Sequence, residues 1–389
     1  MTNLNRINTS DEAMCCGCSA CKSICPREAI SMIENKRGFI VPYIDEDKCI
    51  NCGLCSKVCD FNKPHETDTN IKRAYSLVAR DKAVLNNSTS GGAFTALSDE
   101  ILNHAGVVVG CVMEDDFTIH HVVANDKEGR DRMRGSKYVQ SSTEGIWKQV
   151  KELLAQGKEV LFTGTPCQCA ALRSYLGKDY GNLIIVDFLC HGVPNNKMFK
   201  EHILFLNDYY RVPSVGFSFR NKTYGWDSYN NNNNLANGKT KIKWVNQVYY
   251  NFFVSNLSLR SSCHHCPYRS LHRPSDITMA DFWGIEKLTG RKNRKGVSLV
   301  LTHSEKGQEL VMKAKEHCLA REYPSESVLF RISTIPSKPN AKSEAFWNTY
   351  IEKGYKGLAD RYFNNKLLYS STIGRFIKPA MYGSDCLPM

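Results

Sequence analysis

Two runs of cysteine near the N-terminus carry the strongest chemical signal in this sequence. Cys15-x2-Cys18-x2-Cys21-x3-Cys25-Pro26 is followed by Cys49-x2-Cys52-x2-Cys55-x3-Cys59. Three thiols at successive x2 steps can wrap three irons of one cube, while the x3 step sends the fourth thiolate away. In paired runs of this kind, the fourth cysteine of each serves the cluster of the other. Cys15, Cys18, Cys21 and Cys59 are therefore assigned to one 4Fe-4S cluster, and Cys49, Cys52, Cys55 and Cys25 to a second. Zinc prefers paired ligands separated by a longer gap, which neither run offers. Cys16 is an extra thiol outside this ligand set, and Asp60 stands where the first run has proline.

Four more cysteines stand in suggestive places: Thr165-Pro166-Cys167-Gln168, Leu189-Cys190-His191-Gly192, and Cys263-x2-Cys266-Pro267. Cys167 and Cys190 each follow a short apolar run that reads as a strand. Both thiols would then face the crevice at the carboxyl ends of a parallel sheet, where open α/β folds place ligands. The C-x2-C-P pair arriving from a later loop would complete four ligands for a third cluster. The competing reading makes Cys167 and Cys190 small buried hydrophobes, and spacing alone leaves the two readings level. Cys169 competes with Cys167 as a ligand, but should lie on the first turn of the next helix.

The elements that must hold these residues change character along the chain. Residues 1–65 are cysteine-dense and end in the loop-like Asn62-Lys63-Pro64-His65. From Lys72 onward, short apolar strands alternate with amphipathic helices. Strands are expected at Tyr75–Ala79, Val107–Met113, Ile119–Ala124, Val160–Phe162, Leu183–Leu189 and Val297–His303. Helices are expected at Gly91–His104, Thr143–Gln156, through Ala170–Leu176, Asn195–Tyr210 and Ser304–His317. Such alternation argues for an α/β domain with a largely parallel sheet, α+β overall once the small cluster domain is counted. The asparagine-rich stretch from Tyr229 to Gly238 reads as an exposed loop. The chain divides into a 2x 4Fe-4S domain (1–65), two α/β portions (70–145 and 146–320) and a C-terminal tail of unassigned role (321–389).

Composition is that of a globular protein, with 42% hydrophobic and 23% charged residues in 389. Nine of the seventeen cysteines fall between Cys15 and Cys59, which points to metal rather than disulfides and hence to a reducing, cytoplasmic setting. No apolar run approaches the roughly 18 residues of a membrane span, and the opening MTNLNRINTSDEAM lacks the basic and apolar segments expected of a signal peptide. The formal charge of +12 counts every cysteine as neutral. Three clusters held by thiolates would remove about 6 units and a flavin dinucleotide about 2 more, leaving about +4. The basic excess thus balances cofactors and does not imply nucleic acid. The run Lys287, Arg291, Lys292, Arg294, Lys295 reads as a solvated loop or as a docking patch for an acidic electron carrier such as ferredoxin.

Several motifs resemble one known family. Gly164-Thr165-Pro166-Cys167-Gln168, Val186–Pro194 (VDFLCHGVP) and the later CHHCPYRS…SDITMADFWG are similar to the coenzyme F-420 hydrogenase/dehydrogenase beta subunits. Relatives include formate dehydrogenase beta subunits and 7-hydroxymethyl chlorophyll a reductase. Ser88–Ala93 (STSGGA) and Gly135–Gln140 (GSKYVQ) look like the N-terminal portion of the same family, so the resemblance spans roughly residues 72–320. It implies an FAD-binding iron–sulfur flavoprotein and strengthens the third cluster on Cys167, Cys190, Cys263 and Cys266. There is no G-x-G-x-x-G fingerprint. Thr89-Ser90-Gly91-Gly92 before an amphipathic helix offers a substitute phosphate site, the alternative being an ordinary helix cap. Lys137 is placed to pair with a phosphate or with anionic reduced flavin, and Asp281-Phe282-Trp283-Gly284 to wall the pocket or to pack in the core.

The reading that follows is a cytoplasmic oxidoreductase with two 4Fe-4S clusters, a third, and FAD. One-electron carriers such as ferredoxin or another electron-transfer protein would meet the first domain. Paired electrons would pass as a hydride to or from a small molecule, deazaflavin coenzyme or another. Its rival is a non-catalytic electron-transfer subunit that works only beside a partner enzyme.

Overall fold

The computed structural model describes residues 6–7, 12–290, 293–332 and 334–364. Among the basic run, Arg291 and Lys292 lie outside the described residues. The cluster domain is a pair of short helices, Ala20–Ile24 and Leu54–Val58, around an antiparallel hairpin of β1 (Ile30–Glu34) and β2 (Ile40–Ile44). Each helix starts from a left-handed residue, Ser19 and Gly53, and each ends at the last cysteine of its run, Cys25 and Cys59.

The large domain is built on β3 (Arg73–Ala79), β4 (Val107–Met113), β5 (Ile119–Ala124), β6 (Val160–Thr163) and β7 (Leu183–Phe188). The smaller β8 (Ser214–Asn221), β9 (Asn230–Leu235) and β10 (Thr240–Lys241) pair among themselves in a separate antiparallel sheet. With β11 (Ile277–Asp281), β12 (Ser298–Thr302) and β13 (Cys318–Tyr323), the large sheet has eight strands in the order β13-β3-β12-β11-β7-β6-β4-β5. Its centre, β11-β7-β6-β4, is parallel and its margins are antiparallel, so five of the eight strands run one way. The α/β reading holds.

Alternation along β4 explains the layering. Val108 and Val112 face a core with the helices Ala93–Asn103 and Glu305–Ala314. Val107 and Val109 face the opposite core with the helices Ile146–Ala155 and Pro166–Leu176. Ala20 and Val58 of the cluster domain join this second core, so that domain is packed onto the sheet's helix layer. Residues beyond 320 also contribute: Phe346, Trp347, Tyr350, Tyr355 and Leu358 of the helical segment Ser343–Asn364 share a core with Phe199, Phe217 and Tyr249. Residues 365–389 lie outside the described residues.

The asparagine-rich stretch is not an exposed loop. Asn230–Leu235 is a strand with Asn231 and Asn233 fully buried. Ladder pairing to β8 satisfies its backbone, and Asn231 Nδ2 donates to the Asn246 carbonyl at 3.1 Å while Asn246 Nδ2 returns a bond to the Asn231 carbonyl at 3.2 Å. Tertiary pairing has overridden a low strand propensity.

Candidate iron–sulfur centres

Cys25 sits with Cys49, Cys52 and Cys55 around one small cavity, closed by Pro26, Ile30 and Ile44. Cys21 lies in the field of Cys18, Cys15 and Cys59, and burial pushes its thiol well up. These two groupings are the crossed sets read from the spacing, because each short helix carries its fourth cysteine toward the other run. Arg6 borders the first cavity and lies beside Cys49.

The third group is assembled by tertiary structure. Thr163 of β6 is paired with Val186 of β7. Cys167 and Cys190 each lie four residues beyond these partners, so both turns leave neighbouring strand ends. Thr165 caps the helix Pro166–Leu176 in a reciprocal box with Gln168, and its Oγ1 lies 3.1 Å from Cys167 Sγ. Cys263 belongs to a short 3-10 turn, Ser261–His265, and Cys266 ends it. Gly192, at φ +142, passes so close that a β-carbon there would stand 3.3 Å from Cys263 Cβ. Cys190, Cys263, Cys266 and Cys167 all lie within each other's electrostatic reach. Burial pushes the Cys263 thiol up to about 12 and the Cys266 thiol up to about 11. A bare thiolate is therefore disfavoured here unless a cation offsets the loss of water, which is what iron would do. Cys169 points elsewhere: fully buried, its Sγ faces the Gly164 and Val186 carbonyls in the helix-layer core.

Among the described residues, no three His, Cys, Asp or Glu side chains are gathered to hold one metal ion. A cube sets its four thiolates at separate corners, farther apart than the ligands of one ion. The donor chemistry of all three groups suits 4Fe-4S clusters.

Cys16 joins the group of Cys15, Cys18, Cys21 and Cys59 to the third group. Its thiol is in hydrogen-bonding reach of both Cys167 and Cys18, and it packs with Cys59, Cys167 and Cys266 around Phe61 and Tyr268. Tyr268 Oη donates to Asp60 Oδ2 at 2.9 Å, so the residue replacing proline ties the cluster domain to the C-x2-C loop. Thr143 Oγ1 and Trp147 Nε1 both donate to the Cys18 carbonyl, at 2.9 and 2.8 Å. Gln140, the end of the GSKYVQ string, donates to the Cys16 carbonyl at 2.8 Å.

The residues singled out for a flavin are held as follows. Gly91 is pressed against the sheet, where a β-carbon would collide with the Leu77 carbonyl and stand 2.5 Å from the Ser298 nitrogen. Gly92 has φ +92 and starts the helix Ala93–Asn103, with Ala79 Cβ 2.9 Å from where its own β-carbon would be. This glycine pair lets the helix approach the strands. Ser90 Oγ donates to the Val297 carbonyl, and Thr89 Oγ1 accepts from the Ser136 nitrogen. Lys137 Nζ donates to the Met133 and Arg134 carbonyls at 2.9 and 3.1 Å, which closes the turn ahead of it. Phe282 is core, whereas Trp283 stacks on Trp226 with centroids 4.3 Å apart. Asp281 accepts from Trp226 Nε1 at 2.8 Å and Arg220 Nη1 at 3.0 Å. Arg220 lies over the rings of Tyr229 and Trp283. Lys222 Nζ donates to the Ser90 and Leu85 carbonyls, and burial pushes its ammonium down to about 8. Arg220, Lys222 and Trp226 were not singled out in the sequence, because nothing local marks them.

Two family models match parts of this chain. Residues 157–326 match the family model for the C terminus of the coenzyme F420 hydrogenase/dehydrogenase beta subunit, and residues 14–63 match that for the 4Fe-4S dicluster domain. An uncharacterized ferredoxin of Methanocaldococcus jannaschii is 46% identical over 46 residues, covering 12% of this chain and 25% of that protein. An iron-sulfur subunit of the CoB–CoM heterodisulfide reductase of the same organism is 37% identical over 62 residues, covering 13% of this chain and 9% of that protein. This chain therefore spans a quarter or less of these two curated relatives. A chain in a structure of the F420-reducing [NiFe] hydrogenase complex from Methanosarcina barkeri superposes with a TM-score of 0.45 at 18% identity, covering 78% of this chain and 96% of that one. No helix among the described residues is long and apolar enough to cross a membrane.

Proposed function

We propose that this chain, a member through residues 157–326 of the coenzyme F420 hydrogenase/dehydrogenase beta subunit family, is an iron–sulfur flavoprotein reductase. It takes single electrons at its dicluster domain and exchanges a hydride with a small molecule. The observation that carries this reading is the meeting of Cys16 and Cys18 with Cys167 at the domain boundary. A third 4Fe-4S cluster on Cys167, Cys190, Cys263 and Cys266 would stand next to the cluster on Cys15, Cys18, Cys21 and Cys59.

FAD belongs to the proposal, and the residues present fit it on one side of the Thr89–Gly92 loop. The glycine faces are occupied by protein, but among the described residues Lys222 has only carbonyl hydrogen-bond partners beside Ser90, and it is partly stripped of water. An anionic group such as a pyrophosphate would be stabilised there. The partly exposed rings of Trp283 and Tyr229, held by Arg220 and backed by the buried Trp226, suit a flat ring. FAD, when bound, supplies the conversion between one-electron and two-electron chemistry. The protein's part is to exclude water, hold the carriers close and keep Lys222 charged toward the ligand.

The test is anaerobic reconstitution with iron, sulfide and FAD. Wild type should hold about 12 irons and about one flavin per chain, and Cys263→Ser/Cys266→Ser about 8 irons. Lys222→Met should lower flavin content without lowering iron. A wild type that saturates near 8 irons, or that never retains flavin, would sink the reading. Reduction of a dye or a deazaflavin by the isolated chain would separate a self-contained reductase from a subunit that needs a partner enzyme.

A further inference from the structure

Arg260 is 2% exposed, and among the described residues no carboxylate pairs with it. Its guanidinium donates to the Cys15 carbonyl at 2.7 Å, the Ile40 carbonyl at 2.9 Å and Gln140 Oε1 at 3.1 Å. Nη2 also points at Cys15 Sγ, 3.6 Å away. Its backbone belongs to the other cradle: the Arg260 nitrogen donates to the Val193 carbonyl and its carbonyl accepts from the Cys263 nitrogen, both at 2.9 Å. Gly17, at φ +68 between Cys16 and Cys18, makes the approach possible. A β-carbon there would lie 2.9 Å from Arg260 Nη1 and 2.8 Å from Gln140 Nε2. A buried cation without a counter-ion is strongly disfavoured by its lost hydration, so this site is incomplete as a purely protein structure. A 4Fe-4S core on four thiolates is net negative by about 2 units. One such cluster on each side of Arg260 would supply the missing charge.

We propose that Arg260 is a shared electrostatic link between the cluster on Cys15, Cys18, Cys21 and Cys59 and the cluster on Cys167, Cys190, Cys263 and Cys266. It raises the reduction potentials of both together. Reduction adds one negative charge to a cluster, and a fixed guanidinium stabilises the reduced form more than the oxidised one. Raising both neighbours in step lets an electron cross the domain boundary without a steep change in potential. The cluster on Cys25, Cys49, Cys52 and Cys55 has Arg6 instead, and it should not respond to Arg260. The shared role rests on the third cluster proposed above.

The experiment is a redox titration followed by electron paramagnetic resonance on anaerobic wild type, Arg260→Gln and Arg260→Lys, with iron counted in each. In Arg260→Gln both neighbouring clusters should shift to lower potential, so that at a fixed potential each is at least about tenfold less reduced, or about 59 mV for one electron. The third signal, from the Cys25 set, should stay in place. Arg260→Lys keeps the charge but loses the fork, and it should restore most of the shift while melting at lower temperature than wild type. Equal shifts in both variants, shifts in all three clusters, or full iron with no shift in Arg260→Gln would each overturn the proposal. So would loss of the neighbouring clusters' iron in both variants, which would leave Arg260 a residue of the fold. A wild type that binds only about 8 irons would instead remove the third cluster, and the shared role with it.

Discussion

Asp187 offers the sharpest test of how the third cradle is held. It lies at the end of β7, fully buried, three residues before Cys190. Arg273 Nη2 meets its Oδ2 at 3.0 Å, and Thr278 Oγ1 donates to Oδ1 at 2.5 Å. The same arginine donates to the Tyr268 carbonyl at 2.8 Å and the Phe188 carbonyl at 3.2 Å, so it pins the segment just after Cys266 to the strand that leads to Cys190. Burial raises the Asp187 carboxyl above its ordinary range, against the opposing pull of Arg273. Asp187→Ala would leave a guanidinium that is 4% exposed without its carboxylate. Breaking one side of a buried pair costs about 3–5 kcal/mol, a large share of the about 5–15 kcal/mol that holds a domain together. Arg273→Met added to Asp187→Leu should cost less than the two singles summed, by at least about 1.5 kcal/mol, because the pair is lost without an orphan. Denaturant unfolding of anaerobic protein, followed by far-ultraviolet circular dichroism, gives the energies, and iron analysis should show about four irons lost from Asp187→Ala. A cost below about 1 kcal/mol for Asp187→Ala, or additive singles, would refute the argument that this pair carries the cradle.

Two further outcomes are expected. Because Cys25 shares a cavity with Cys49, Cys52 and Cys55, Cys25→Ala should abolish the paramagnetic signal of that cluster. Loss confined to the Cys15, Cys18 and Cys21 cluster would refute crossed ligation. His202 is fully buried with Nδ1 2.8 Å from Tyr355 Oη, and burial pushes its imidazole down to about 3. A depressed folded value means stability present above the unfolded value of about 6.5 and lost as pH falls toward the folded one, about 2 kcal/mol of it by about pH 5. His202→Gln should narrow the stability gap between about pH 7 and about pH 5 by that amount, and an unchanged gap would show that the ring is not buried neutral.

How much of this was legible before folding depends on how far apart in sequence the causes lie. The cysteines of the first domain stand in steps of two and three residues, so spacing alone proposed the crossed sets from Cys15 to Cys59, and the structure gathers Cys25 with Cys49, Cys52 and Cys55. Hydrophobic alternation likewise placed the strands: Val107–Met113 and Ile119–Ala124 were expected with the bounds they have. Cys167 and Cys190 were level between ligand and core on sequence grounds. Their convergence requires the parallel pairing of β6 with β7 and the return of a loop some seventy residues later; alternation and spacing suggest both, but only tertiary packing brings them about. Cys16 reads from spacing as a spare thiol, and the docked domains put it between Cys18 and Cys167. The glycine pair at Gly91 and Gly92 read as an opening for phosphate, yet the space beside it is filled by β3 and β12. Asn231 and Asn233 read as loop and are buried strand; the Asn231 amide meets a tertiary partner in the Asn246 carbonyl, and nothing local in the sequence announces it. Arg260 shows the division most plainly. Its nearness to Cys263 was visible in the chain, but its guanidinium acts on Cys15, 245 positions away, and only the packing of one domain on the other brings that charge to the boundary.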